Sequence, residues 1–345
     1  MSQAITHDGP RHQIEVVGGR MLGSVAVQVG VQFQGDDVGP KAFARRAEEA
    51  GFDSVWCGDH VGHLIDGLAA LGLYAGATEQ ITIGLNLLVA PYRSGAVMAK
   101  ALATIARAAP GRVIAGFGVG GEFPGEFDAT GADIHSRGRF TDEALEIITR
   151  LWTGELLTYD GRWARFDEFR LEPAPQPAPT VWVGGRSEAA MRRAVRFAAG
   201  YTPYLVSPEQ VASRRQRLDE LLVEAGRPAG TLTIGVLVTT IPAADVDAAV
   251  DRGLTSLKLS GLSPESVKAR YLLGDDESIL SRIRAYADAG VDHLILGCLP
   301  GTEAQRDEFF AICSRLLPEI RALGQAAPVV HGNSPRGWSD RAAAG

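Results

Sequence analysis

Short apolar runs alternate with segments of helical periodicity along most of the chain. Residues 81–90 are apolar at nearly every position, which is typical of a strand buried on both faces in a parallel sheet. A helical pattern follows, with Val97, Ala101 and Ile105 on one face. Eight strands are predicted in this way, at residues 24–34, 54–57, 81–90, 112–120, 180–185, 200–206, 231–240 and 293–297.

Helical segments separate successive strands, as the crossovers between parallel strands require. Eight strands favour closure into a barrel over an open doubly wound sheet. Residues 156–173 interrupt the alternation, and the turn dipeptide Asp160-Gly161 predicts a small β-hairpin before strand five. The expected fold is therefore α/β, a (β/α)8 TIM barrel over residues 23–323, with a flexible N-terminal arm at 1–22 and a flexible C-terminal tail at 324–345.

Composition narrows the function classes. The 345 residues carry a net charge of −7, which gives no general attraction to nucleic acid or to acidic membranes. Cys57, Cys298 and Cys313 lack the spacing of a metal site or a disulfide framework. The N-terminal segment lacks the apolar run of a signal peptide, and no apolar stretch is long enough to span a bilayer. We therefore expect a cytoplasmic protein with a small-molecule substrate and with neither a nucleic-acid nor a membrane partner.

A polar cluster, Asp59, His60 and His63, directly follows the second strand. Barrel enzymes keep their chemistry at such strand ends, and imidazole changes its charge near pH 7. His60 is predicted to donate a proton, and Asp59 to orient the ring or to contact the ligand. The alternatives are a surface histidine pair without a role and a metal site. Because no further carboxylate or cysteine ligand is evident, no metal is predicted.

A glycine-rich segment closes the fourth strand. Residues 116–121 fit the G-x-G-x-x-G pattern, but residues 122–125 do not resemble a helix start, and a dinucleotide fingerprint belongs to a first strand. We instead predict that Gly118, Val119 and Gly120 present bare backbone to a flat ligand.

The fifth strand ends in Gly184, Gly185, Arg186 and Ser187, immediately before a helix. The free N–H groups of a helix start bind phosphate, which makes these residues candidates for cofactor binding. The alternative is an ordinary turn capped by Ser187. Asn86, a polar residue within the apolar third strand, either pairs inside the protein or contacts a ligand ring.

Together these motifs resemble the bacterial luciferase-like superfamily of flavin- and deazaflavin-dependent oxidoreductases. The resemblance extends over roughly residues 25–323, and its motifs are EEAGFDSVWCGDH, ITIGLNLLVAPYR, RVIAGFGVG, RFTDEALEIITRLWTGE and VWVGGRSEAAMRRA. It implies a TIM barrel that holds coenzyme F420 or flavin mononucleotide (FMN) at its C-terminal face. The phosphate would rest on Gly184 and Gly185, and the ring would lie against a non-prolyl cis peptide placed by motif match at Asn86–Leu87. Asp59 and His60 match the acid–histidine pair of the deazaflavin branch.

Two positions depart from the sugar-phosphate dehydrogenases of this superfamily. Their tryptophan after the histidine corresponds to Leu64, and their catalytic glutamate corresponds to Gly121, with Glu122 one place away. These departures argue against glucose-6-phosphate dehydrogenase activity. They leave open whether Glu122 or His63 takes part in the reaction.

The resemblance implies hydride transfer between F420 and a small organic substrate, with His60 and Asp59 as the catalytic residues. The alternative is an FMN-dependent monooxygenase that uses oxygen and reduced flavin from a separate reductase. A flavin-binding protein without activity is a third reading. The resemblance also implies a homodimer.

Overall fold

Eight parallel strands close on one another in the order in which they occur along the chain. The computed structural model describes residues 27–33, 39–256, 263–299 and 302–323. The strands are β1 (Gln28–Phe33), β2 (Ser54–Cys57), β3 (Thr82–Leu85), β4 (Leu88–Val89), β5 (Val113–Gly118), β6 (Leu157–Asp160), β7 (Arg165–Phe169), β8 (Thr180–Gly184), β9 (Gly200–Thr202), β10 (Thr233–Pro242), β11 (Leu272–Gly274) and β12 (His293–Cys298).

The barrel closes because β12 pairs with β10 on one side and with β1 on the other. β3 and β4 together form one barrel strand, interrupted at Asn86–Leu87. The (β/α)8 barrel predicted from the sequence is therefore confirmed, as is the hairpin, whose strands β6 and β7 are antiparallel. The predicted arm at 1–22 and tail at 324–345 lie outside the described residues.

Helices cover the outside of the barrel. They are α1 (Pro40–Glu49), α2 (Gly67–Ala75), α3 (Gly95–Ala108), α4 (Pro124–Thr130), α5 (Arg137–Leu151), α6 (Glu188–Phe197), α7 (Pro208–Glu224), α8 (Val246–Ser256), α9 (Pro264–Arg270), α10 (Asp276–Asp288) and α11 (Glu303–Leu323). In the described ranges, no helix combines the length and the hydrophobicity that crossing a bilayer requires.

Two elements differ from the prediction. Residues 122–125 did not resemble a helix start, yet α4 begins at Pro124, where the missing N–H of proline costs nothing in a first turn. The short strand β11 lies outside the eight predicted strands, and it pairs with the end of β10. Both elements are short, so they offer little periodicity from which to predict them.

Two tryptophans fill the interior of the barrel below its C-terminal end. Trp56 on β2 and Trp182 on β8 are 0% and 3% exposed, and their ring centroids lie 5.2 Å apart. Glycines on neighbouring strands make room for them: a Cβ at Gly84 would lie 2.3 Å from the Trp56 ring, and one at Gly235 would lie 2.2 Å from the Trp182 ring. The interior is thus a packed floor for whatever binds above it.

Candidate active site

The polar strand ends meet at the C-terminal end of the barrel. β2 pairs with β3, β4 pairs with β5, and β5 pairs with β8, so the residues that follow these strands are neighbours. The polar cluster after β2, the interruption at Asn86–Leu87 and the glycines after β5 and β8 therefore share one face, as a parallel barrel requires.

Three ionisable side chains form the centre of this face. Nδ1 of His60 lies 3.2 Å from Oε2 of Glu126, and Nδ1 of His63 lies 3.3 Å from Oε1 of the same carboxylate. The two imidazole rings stack with their centroids 3.8 Å apart. Glu126 also accepts hydrogen bonds from the backbone N–H groups of Val61 and Gly62 and from the Tyr92 hydroxyl. The carboxylate of α4 thus holds the loop that carries both histidines.

The surroundings decide the charge of each group. Burial would raise the pKa of the Glu126 carboxyl, but hydrogen bonds from Gly62 and His60 outweigh burial and leave this pKa below its ordinary value. Burial lowers the pKa of His63, and the repulsion that would arise between two protonated rings lowers it further, against the opposing effect of Glu126. The pKa of Tyr92 is raised by burial and by its hydrogen bond to Glu126. Near neutral pH the cluster therefore holds an ionised carboxylate beside a neutral His63.

The contact with Glu126 fixes the useful nitrogen of His60. An ionised carboxylate only accepts hydrogen bonds, so Nδ1 of His60 carries the proton between them. In the described part of the chain, Nε2 of His60 has no hydrogen-bond partner. This nitrogen can take a proton from a bound molecule, and Glu126 stabilises the imidazolium that results.

Asp59 occupies a different environment from its neighbour. Its carboxylate is 1% exposed and accepts two hydrogen bonds from Arg93, at 2.7 and 2.9 Å. It also accepts from the backbone N–H groups of Gly67 and Val89, at 3.0 Å each. Asp59 was predicted to orient the His60 ring or to contact the ligand, and in the structure the carboxylate that contacts this ring is Glu126. The contacts of Asp59 join the β2 loop to α2 and to β4.

Apolar side chains border the histidines. Phe123 is exposed and packs its ring against both, with centroids 5.1 Å from His60 and 4.2 Å from His63. Val61 and Leu64, on the same loop as the histidines, are exposed as well. Phe123 therefore gives the histidine pair an apolar neighbour, and the loop that carries the histidines exposes two further apolar side chains.

The third barrel strand contains the feature that the resemblance implied. The peptide bond Asn86–Leu87 is cis, which confirms its placement by motif match. Nδ2 of Asn86 donates to Oε1 of Gln32 at 3.2 Å, and Oδ1 of Asn86 accepts from the Thr202 hydroxyl at 3.3 Å. The partly buried amide is thus paired inside the protein, and these bonds fix its orientation.

The side chain of Leu87 explains why Gly118 and Gly184 are glycines. A Cβ at Gly184 would lie 2.0 Å from Cδ1 of Leu87, and one at Gly118 would lie 3.1 Å from the same atom. Sequence analysis predicted bare backbone for a ligand at Gly118, Val119 and Gly120, but the space beside Gly118 is filled by Leu87. Gly120 has a φ of 64°, a conformation that favours glycine. Gly118 at the end of β5 and Gly184 at the end of β8 therefore shape an apolar platform around Leu87.

The start of α6 has the features of an anion site. Ser187 is the N-cap residue, and its hydroxyl accepts from the N–H of Ala190. The Gly185 carbonyl accepts from the Tyr201 hydroxyl at 2.6 Å, and the carbonyl of the exposed Arg186 accepts from Nη2 of Arg214 at 3.2 Å. Nε of Arg214 is buried and has no hydrogen-bond partner among the described residues. A helix start beside an unpaired guanidinium N–H suits a phosphate.

Three residues of this site were missed by sequence reasoning. Glu126 lies in a segment that seemed to be loop, although Pro124 two positions earlier was a usable signal for a helix start. Arg93 follows the apolar third strand, and the signal for it was that a buried carboxylate such as Asp59 needs a cationic partner. Arg214 comes from α7, and no local pattern connects it with the start of α6.

A closed parallel barrel with a cluster of ionisable side chains at its C-terminal end has the architecture of a barrel enzyme. The chain belongs to the luciferase-like monooxygenase family, whose pattern matches residues 40–260. It is accordingly a luciferase-like oxidoreductase.

Two relatives extend the comparison. The chain is 29% identical over 334 residues to the F420-dependent glucose-6-phosphate dehydrogenase of Nakamurella multipartita, covering 86% of this chain and 97% of that protein. It is 33% identical over 170 residues to the F420-dependent hydroxymycolic acid dehydrogenase of Mycobacterium tuberculosis, covering 46% of this chain and 47% of the other.

Solved structures agree on the fold. An F420-dependent secondary alcohol dehydrogenase in complex with an F420-acetone adduct superimposes with a TM-score of 0.76 at 21% identity, covering 86% of this chain and 99% of that one. The oxygenating constituent of 3,6-diketocamphane monooxygenase from Pseudomonas putida, in complex with FMN, superimposes with a TM-score of 0.69 at 18% identity, covering 86% and 98%.

Proposed function

We propose that this protein transfers hydride between coenzyme F420 and a small alcohol or carbonyl compound. The observation that carries the proposal is His60: its Nδ1 is held by the buried Glu126, and its Nε2 is left for a substrate. The relatives named as F420-dependent dehydrogenases support the choice of cofactor.

The residues present suit such a cofactor. F420 and FMN both carry a phosphate, for which the start of α6 at Gly185–Ser187 and the unpaired Nε of Arg214 would provide donors. Leu87 and the cis peptide would support the ring. The acidic tail of F420 would meet Arg186, which has no ion pair in the described residues, whereas Arg192 is already paired with Glu188.

The chain's own part in the reaction follows from the histidine cluster. When bound, the deazaflavin would accept or donate hydride. In alcohol oxidation, Nε2 of His60 takes the proton of the substrate hydroxyl while hydride leaves the carbon that bears this hydroxyl. In carbonyl reduction, Nε2 returns the proton to the oxygen. Glu126 stabilises the imidazolium form, and Phe123 excludes water from one side of the ring. The apolar ring of Phe123 against His60 and His63 suits a substrate with an apolar body rather than a sugar phosphate.

The rival activity is an FMN-dependent monooxygenase supplied by a separate flavin reductase. The likeness in fold to the FMN-containing monooxygenase constituent keeps this alternative open to test. Oxygen consumption with reduced FMN would identify it. A homodimer and a cytoplasmic location remain part of the proposal.

The variant His60→Ala tests the role of the ring. With F420 and a panel of small secondary alcohols, we expect kcat to fall by about 100-fold or more, because proton transfer contributes roughly that much, while the Kd for F420 changes little. His135→Ala, at an exposed histidine outside the site, is the matched control and should behave as the wild type. Equal losses of kcat and F420 affinity in His60→Ala would leave His60 a binding role only.

A further inference from the structure

His60, His63 and Glu126 have the donor set of a transition-metal site. Among the described residues they are the group of histidine, cysteine and carboxylate side chains whose ligand atoms all lie within 4.8 Å of one another. Each Nδ1 lies close to a carboxylate oxygen, at 3.2 Å for His60 and 3.3 Å for His63. Bonds of about 2.0–2.1 Å in a tetrahedral zinc site place neighbouring ligand atoms about 3.3–3.4 Å apart. Each histidine is therefore about one edge length of such a site from the carboxylate, His60 through Oε2 and His63 through Oε1.

The ligands are also held in place by their neighbours. Glu126 is 6% exposed and is fixed by the N–H groups of Val61 and Gly62 and by the Tyr92 hydroxyl. The stacked rings, inclined by 29°, direct both Nδ1 atoms toward this one carboxylate. Outer hydrogen bonds of this kind orient metal ligands and raise affinity, so little rearrangement is needed for binding.

We propose that Zn²⁺, or a divalent ion with the same preference for imidazole, binds between Nδ1 of His60, Nδ1 of His63 and the Glu126 carboxylate. On binding, the ion takes the lone pair of each Nδ1, the single proton of each neutral ring moves to Nε2, and one coordination position is left for water. Mg²⁺ should bind weakly here, because two of the three ligands are imidazoles and Mg²⁺ prefers oxygen donors.

Metal binding has a consequence for activity, which rests on the proposed function. With the ion on Nδ1 of His60, the single proton of the neutral ring lies on Nε2, so this nitrogen has no lone pair with which to accept a substrate proton, and the positive charge beside the ring opposes a second proton. The bound ion therefore acts as an inhibitor of turnover rather than as a cofactor. The sequence alone did not reveal this site because its carboxylate, Glu126, is distant from the two histidines along the chain.

Titration of the metal-free, full-length protein with Co²⁺, followed by visible absorption, tests the proposal directly. We expect saturation at one ion per chain, with the intense bands of four-coordinate Co²⁺, displacement by Zn²⁺ and no displacement by excess Mg²⁺. His63→Asn and Glu126→Gln should each weaken binding by at least about tenfold. The control His135→Asn should bind as the wild type does.

Comparing the wild type with these variants accounts for metal binding by other histidines and for loss of folding. His7, His12 and His331 lie outside the described residues and are present in every variant, so any binding by them cancels. His63 has a side chain that is 39% exposed, and its substitution is therefore tolerable for folding, which circular dichroism would verify.

Equal Co²⁺ affinity in the wild type, His63→Asn and Glu126→Gln would overturn the proposal, as would the absence of the four-coordinate bands. F420 binding, measured on the same metal-free samples, keeps the two proposals separate. If the protein binds F420 but no metal, only the proposed metal site is contradicted. If it binds metal but not F420, only the proposed function is contradicted.

Discussion

At the scale of single residues, Glu126 is the side chain that makes the two histidines a working pair. It is buried, yet the N–H groups of Val61 and Gly62 and the contact with His60 favour its ionised form. A negative charge at Nδ1 supports a positive charge on the ring, which is the form of His60 that holds the substrate proton. Glu126 thus acts on the reaction through His60.

The variant Glu126→Gln separates this charge from the shape of the site. The glutamine carbonyl can still accept from Val61 and Gly62, so the loop should stay in place while the imidazolium loses its counter-charge. We expect kcat to fall by roughly 10- to 100-fold, with the F420 Kd within about twofold of the wild type.

Glu122→Gln is the matched control for that measurement. Glu122 is exposed and lies four positions earlier in the chain, where the sequence comparison had left its role open. Its replacement should leave kcat near the wild-type value. A larger loss in Glu122→Gln than in Glu126→Gln would transfer the proposed role to Glu122.

At the scale of secondary-structure elements, the site depends on how closely three strand ends approach. Leu87 projects from the interruption between β3 and β4 into space that Gly118 on β5 and Gly184 on β8 leave open. Neither glycine has a φ in the left-handed region, so the need for glycine here is one of space. The platform therefore depends on the absence of a side chain at Gly118 and Gly184, which leaves room for Leu87.

Gly184→Ala tests that fit. The added methyl would lie 2.0 Å from Cδ1 of Leu87, so Leu87 has to move or the strands have to separate. We expect a loss of about 1–3 kcal/mol in the free energy of unfolding and weaker cofactor binding. Adding Leu87→Ala to Gly184→Ala should restore part of the stability, which chemical denaturation would detect.

Gly72→Ala serves as the control, because Gly72 is an exposed position inside α2 and a Cβ there meets no atom within 4 Å. Helix propensity predicts that this change is neutral or stabilises the protein by up to about 1 kcal/mol. Equal effects of Gly184→Ala and Gly72→Ala would show that the contact with Leu87 has no energetic weight.

The element scale also explains what sequence could and could not predict. The barrel strands were predictable because buried parallel strands are continuous apolar runs, as residues 81–90 illustrate. The start of α6 was predictable from Ser187, a local cap. The partnership of Glu126 with His60 was not predictable from pattern, since it joins α4 to the β2 loop across 66 positions. The role of Leu87 beside Gly184 depends in the same way on strand packing.

At the scale of the whole molecule, the barrel interior contains a buried histidine that the chemistry does not use. His293 on β12 is 2% exposed, and its Nε2 lies 2.6 Å from the Ser54 hydroxyl. Its ring meets Trp56 and Trp182 edge-on. Burial lowers the pKa of His293 from 6.5 to about 3, so the folded protein keeps this ring neutral at neutral pH.

Stability should therefore depend on pH through His293. The pKa of His293 in the folded protein lies below its value in the unfolded chain. Between pH 6.5 and about 3, only the unfolded chain takes up the proton. The contribution of the neutral ring to stability is therefore complete above pH 6.5 and decreases as the pH falls toward about 3. The slope attributable to one such group is about 1.4 kcal/mol per pH unit within that window.

Urea denaturation of the wild type and of His293→Gln at several pH values between 4 and 7 measures this slope (an approximate range set by the two pKa values). His293→Gln should be less stable at pH 7, because it disturbs the packed floor, but it should lose less stability on acidification. His135→Asn should keep the wild-type slope. The same slope in His293→Gln and in the wild type would contradict a neutral, buried His293.

The barrel as a whole is proposed to hold F420, with its phosphate at the start of α6 and its ring over Leu87. Titration of the full-length apoprotein with F420 and, separately, with FMN, followed by fluorescence, tests this claim most directly. We predict saturable binding of F420 that is tighter than that of FMN by at least about tenfold, a difference of about 1.4 kcal/mol. Tighter binding of FMN, or no binding of F420, would contradict it.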